Sequence, residues 1–236
     1  MQDYATISLA CSEQFCRIAA RIQERLIQLP LINLDEVTEF DRDLLTWKHS
    51  WNKFITNREQ DYVNTSRAIL GWRLVTTRLT LYRPLLLVTA IRRKPWHELN
   101  SNERTSLRKC LEIAIEGVDL MSSEWSPNQV ICWNIAWNLF QTTLVLILCM
   151  ISDRAEAEER GCSEYIARAI NLFSQMESLD AGCTRSRKLI QLLFDNARDL
   201  EPEALACRDG DWTQSALDLL DFDLLGEDVD WLFSEN

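Results

Sequence analysis

The sequence predicts an all-α protein, a bundle of about six to eight helices followed by a loose acidic tail. Three observations predict it. Glycine and proline are scarce, at 6 and 5 of 236 residues, and turn-rich β architectures depend on both. Apolar residues recur at three- and four-residue spacing in one stretch after another, which is the period of an amphipathic helix. The charge is also unevenly placed. From Asp209 onward there are 9 acids and no Lys or Arg, leaving 27 acids against 25 basic residues before that point. The net charge of −11 therefore divides into −2 for the body and −9 for the tail. A chain of this length suits one large domain, or one domain with a tail, and buries enough surface to fold without staples.

Tyr4 to Leu29 reads as a first helix, with Ile7, Cys11, Phe15, Ile18, Ile22 and Leu26 on one face and Pro30 as its stop. Leu34 to Ile55 reads as a second, starting in earnest near Thr38, with Trp47 and Trp51 sharing a face at i, i+4. A polar connector, Asn57 to Asn64, leads to the helix expected at the centre, Ser66 to Leu87. Asn64, Thr65 or Ser66 is expected to cap it. Pro84 is expected to kink or end it, since an interior proline loses a ladder hydrogen bond at a cost of roughly 3 kcal/mol. Arg83 would stand at that break and pair with a helix end or an acid.

Lys94-Pro95-Trp96 interrupts the pattern, and a further helix runs from Ser101 to about Ser122, capped by Asn100, Ser101 or Asn102. Ser126-Pro127-Asn128 is a loop. Val130 to Ile151 carries no charge and is long enough to cross a bilayer. Asn134, Asn138, Gln141, Thr142 and Thr143 lower its hydropathy, and no basic cluster flanks it. It reads as a central helix buried on all sides. Glu156 to Leu179 and Ser186 to Leu200 complete the body, and Pro202 and Gly210 lead into the tail.

Little in the body suggests chemistry. The 8 cysteines show neither C-x-x-C pairs nor Cys/His ligand spacing. They read as free thiols packed as small hydrophobes in a reducing compartment. No basic and apolar leader opens the chain at Met1. His49 and His97 stand in different segments with no nucleophile motif. There is no glycine-rich phosphate loop, no G-x-S-x-G and no H-E-x-x-H. Asp218-x-x-Asp221-x-Asp223 has the form of a cation-binding motif of helical terpenoid enzymes, but a second aspartate-rich cluster to face it is missing. The balanced body carries no electrostatic footprint for nucleic acid, and Arg92-Arg93-Lys94 is too short to supply one.

The tail is more informative. Its acids alternate with Leu217, Leu219, Leu220, Phe222, Leu224, Leu225, Val229, Trp231, Leu232 and Phe233. Such alternation is the compositional mark of amphipathic activation segments. Mutually repelling carboxylates keep the chain solvated, so its large apolar side chains stay available to a partner's groove. The competing reading is a C-terminal helix docked on its own domain.

LYRPLLL at Leu81–Leu87 resembles the leucine-rich signature in the regulatory middle homology region of fungal binuclear zinc-cluster transcription factors. Three further stretches are similar to that region in the same order. They are EFDRDLLTWKHSW (Glu39–Trp51), KCLEIAIEGVDLMSS (Lys109–Ser123) and WNIAWNLFQTTLVLIL (Trp133–Leu148). The end, DVDWLFSEN, resembles the acidic tails that close many such proteins. The resemblance implies a helical regulatory domain over residues 1–201, with Leu81, Tyr82, Arg83 and Pro84 as its structural motif. It also implies an activation tail over residues 202–236, with Leu217, Leu220, Phe222, Leu224, Leu225, Trp231, Leu232 and Phe233 engaging a transcriptional coactivator. The implied setting is the nucleus and transcription by RNA polymerase II, not a membrane.

That family's DNA contact and zinc reside in a six-cysteine module that these residues do not include, so no cofactor is expected here and the chain reads as the C-terminal portion of a factor or a truncated relative. A homodimer and a small-molecule inducer are open as further partners. The rival class is a helical small-ligand receptor or terpenoid-type enzyme, with a pocket lined by Trp72, Trp133 or Trp137.

Overall fold

The structure is a computed structural model, and it describes residues 4–55, 61–92 and 98–199. Among the described residues there are eight helices and no strand. They are α1 (Tyr4–Leu26), α2 (Leu34–Ile55), α3 (Asp61–Arg92), α4 (Ser101–Glu124), α5 (Gln129–Ser152), α6 (Arg154–Glu159), α7 (Cys162–Met176) and α8 (Ala181–Asp199). All belong to one unit, Met1–Asp199. The tail residues named above lie outside the described residues, as do Lys94-Pro95-Trp96 and His97.

The charge-free α5 sits at the centre, packed against α3, α4, α6, α7 and α8. It is long and apolar enough to cross a membrane, yet more than half of its most apolar window is covered by these neighbours. The helix ends follow the short polar residues. Asn100 and Glu103 form a reciprocal capping box at the start of α4. Asn33 and Glu36 exchange the same pair of bonds at the start of α2, at 3.0 and 3.1 Å. The Asn128 side chain accepts from the amides of Val130 and Ile131 at the start of α5. Asp153 closes one helix and opens the next. Its N–H donates to Cys149 O at 2.9 Å, and its carboxylate accepts from Glu156 N at 3.0 Å.

Several boundaries differ from the sequence reading. α1 ends at Leu26, three residues short of Leu29. α2 starts at Leu34, because the Asn33 box sets it there and Thr38 is already inside, its hydroxyl donating to Leu34 O. α3 starts at Asp61, so Asn64, Thr65 and Ser66 fall within the helix. Pro84 does not end α3, which continues to Arg92. Leu81 and Leu86, on either side of it, are fully buried. Each contributes about 1.5–3 kcal/mol, enough together to offset the proline's cost of roughly 3 kcal/mol. The expected helix from Glu156 to Leu179 is two helices, broken at Gly161, whose φ of 74° lies in the left-handed region that side chains resist. α8 begins at Ala181, five residues before Ser186.

Three helices meet at Gly117 of α4. A Cβ there would lie 2.7 Å from Val75 Cγ1 of α3 and 3.1 Å from Thr142 Cγ2 of α5. Both neighbours are β-branched and stiff at χ1, so neither can swing aside. Gly117→Ala therefore forces backbones apart, and this cost exceeds the roughly 1 kcal/mol that alanine gains in helix propensity. The expected outcome is a lower melting temperature by differential scanning calorimetry. A variant as stable as the unsubstituted chain would show that the three helices are not in this contact.

Candidate functional site

Two features stand out on the helical frame, a buried ionic cluster on one side of α3 and an uncovered apolar face on α5. The cluster forms because α2 carries an acid on its core face: Val37, Asp41 and Leu44 are all buried at i, i+4, i+7 spacing. Opposite it α3 presents Arg78. Its guanidinium donates in a fork, Nε to Asp41 Oδ1 at 2.6 Å and Nη2 to Oδ2 at 3.1 Å. Arg78 and Asp41 are each 4% exposed. Nη1 also donates to Glu116 Oε2 of α4 at 3.3 Å, and Lys48 Nζ holds Glu116 Oε1 at 2.8 Å. Tyr82 OH donates to Asp41 Oδ2 at 3.2 Å.

Burial alone would lower the Arg78 pKa. The hydrogen bonds and charge of Asp41 outweigh that and hold it above its ordinary value. Burial, with the Asp41 charge beside it, pushes the Tyr82 hydroxyl far above its usual range. Neither Arg78 nor Tyr82 is poised to move a proton near neutrality, and the cluster ties α2, α3 and α4 together.

The LYRP motif contributes to this clamp unevenly. Leu81 is fully buried and Tyr82 belongs to the cluster. Arg83 does not pair as expected. Among the described residues no acid meets its half-buried guanidinium, and burial lowers its pKa. Its neighbour is Cys110, whose thiol burial pushes up to about 12. The pairing role falls to Arg78, one turn and a half earlier, because that position faces the Asp41 side of α2.

The three tryptophans do not share a pocket. Trp72 is fully buried on α3, while Trp133 and Trp137 of α5 are 67% and 60% exposed. The expectation that α5 is buried on every side also fails, and the packing explains why. α3, α4, α7 and α8 surround α5, with α3 against α4, α4 against α7 and α7 against α8. α3 and α8 do not pack substantially on each other, so the ring stays open between them. Val130, at 59% exposed, and the two tryptophans lie in that opening.

The remaining groups are quiet. His49 is exposed. Among the described residues seven cysteines are free, six of them buried, and no three His, Cys, Asp or Glu side chains converge as a metal would require. A shallow cleft of about 20 Å³, room for little more than a water molecule, lies between α4, α5 and α6, lined by Leu107, Leu111, Cys149 and Ala157, with the Arg108–Glu156 ion pair at its edge.

Periodicity alone could have flagged Asp41, as an acid between Val37 and Leu44 on an apolar face. Its partner Arg78 and the close approach at Gly117 left no such local signal. No family model, no curated protein and no solved structure matches the chain.

Proposed function

We propose that this chain is the regulatory and transactivating portion of a fungal transcription factor acting on RNA polymerase II in the nucleus. The helical body restrains or senses, and the tail over residues 202–236 recruits a coactivator. DNA contact and zinc belong to a module outside this chain. A homodimer and a small-molecule inducer of the body fit the same reading, which includes no enzymatic step.

The observation that carries it is the C-terminal run in which 9 acids and no basic residue alternate with leucines and aromatics. Repulsion opposes collapse of such a run, and its apolar side chains suit weak, exchangeable docking in a hydrophobic groove. The order of the LYRPLLL and three companion stretches along the body supports the same family reading. The test tethers the chain to a DNA-binding module at a reporter. Trp231→Ala with Phe233→Ala is expected to lower reporter output severalfold while the body's melting temperature stays put. Unchanged output would remove the tail's role, and with it the reading.

A further inference from the structure

The open side of α5 carries an inference that stands independently of the transcriptional reading. Val130, Trp133, Trp137, Leu144, Leu148 and Ile151 recur at helical spacing along one face, and all are exposed or half-buried. The face carries no charge over a helix of 24 residues, a length of about 36 Å. Trp133 and Trp137 alone leave roughly 200–300 Å² of aromatic surface uncovered, the size and chemistry of an interface anchor.

The helix directions say what lies on either side. α3 and α4 run antiparallel, since Gly71 meets Leu120 and Gly117 meets Val75. α4 and α5 are also antiparallel, since Gly117 meets Thr142 and Leu111 lies beside Cys149. Thus α3 and α5 are parallel, and the Thr76 hydroxyl donates to Asn138 Oδ1 between them. Arg73, three residues before Thr76, therefore stands at about the height of Ile135. α8 also runs parallel to α5. Cys183 lies beside Cys132 at one end, and Arg154 Nη1 donates to Arg198 O at 2.7 Å at the other. Arg185 then stands at about the height of Asn134.

The helices on either side of the opening each carry an exposed arginine at this height. Every charged residue of α3 from Thr65 to Arg92 is an arginine, and every charged residue of α8 from Ala181 to Phe194 is Arg or Lys. Arg73 and Arg185 are exposed, and among the described residues neither has an ion-pair partner. Arg187 is occupied by Glu177 at 2.5 Å, and the nearby Asp180 accepts from Gly182 N.

We propose that this face is a docking site for an acidic amphipathic helix of another protein. The partner's leucine or aromatic stripe would lie over Val130, Trp133 and Trp137, with its carboxylates against Arg73 and Arg185. A second copy of this chain is the poorer occupant, because it would bring the same arginines against themselves. Single-stranded nucleic acid fits less well, because the stripe continues past Leu144 to Ile151 without a cation on α5 to track phosphates.

The test uses the full chain and two fluorescein-labelled 18-residue peptides with leucines at i, i+3, i+4, i+7. One carries glutamates on its remaining face and the other lysines. By fluorescence anisotropy at low salt, the glutamate peptide is expected to bind at least about tenfold more tightly, with the preference shrinking as salt rises. Trp133→Ser with Trp137→Ser should lose about tenfold or more of that binding. Arg73→Glu with Arg185→Glu should reverse the preference, which keeps the proposal testable if the tryptophan variant folds poorly. Equal binding of both peptides, or binding of neither, overturns it. So does tighter binding of an oligothymidylate, or a dimer by sedimentation that the tryptophan variant abolishes.

Discussion

Asp41→Ala should melt about 10 °C below the unsubstituted chain, among the largest effects of any single substitution in the body. The carboxylate it removes accepts both arms of the Arg78 fork and the Tyr82 hydroxyl. What remains is a guanidinium 4% exposed, with Glu116 at 3.3 Å as the one other acid that meets it among the described residues. Removing one partner of a buried pair typically costs 3–5 kcal/mol, because the other charge is left without compensation. In a chain of this size each kcal/mol shifts the melt by roughly 2–4 °C.

The same physics predicts a partial rescue. Asp41→Leu with Arg78→Met removes both charges and restores apolar volume, so it should recover much of the loss. Arg83→Ala, with no paired acid to strand, should move the melt far less than Asp41→Ala. If Asp41→Ala melts within about 2 °C of the unsubstituted chain, the cluster does not clamp the three helices.

Trp72→Ala is the second large effect. Trp72 is the largest fully buried side chain among the described residues, and truncating a core tryptophan costs about 3–5 kcal/mol through lost transfer energy and the cavity left behind. Trp133→Ala and Trp137→Ala, at exposed positions, should each stay within about 0.5 kcal/mol. Chemical denaturation followed by far-UV circular dichroism measures all three. The contrast matters because a shared aromatic pocket would predict similar, ligand-dependent effects for the three residues. Comparable losses at all three would revive that pocket and sink the division into one core and two surface tryptophans.

Much of the fold was legible along the chain. The Val130–Ile151 helix was visible from its uncharged run, and the Ser101 helix from the polar residues at its start, of which Asn100 is the cap. These are local signals, since periodicity and capping depend on residues within a turn or two of each other. Pro84 misled for the same reason. Its cost is local and visible, while the burial of Leu81 and Leu86 that offsets it comes from neighbours distant in sequence. Arg83 beside that proline drew the expectation of an ion pair. The pair belongs to Arg78, because only the packing of α2 on α3 decides which arginine meets Asp41.

By itself the sequence determined the helical class, the cores of most helices and the split between a charge-balanced body and an acidic end. Composition and spacing suffice for those, because each follows from the order of residues along one strand of chain. The tertiary structure alone decided which tryptophan is core and which is surface, and which three helices crowd Gly117. It also decided that α5 is uncovered between α3 and α8, where cations from two separate segments stand at one height. Each of these depends on elements that lie far apart in sequence and meet only when the bundle closes, so no local pattern could carry them.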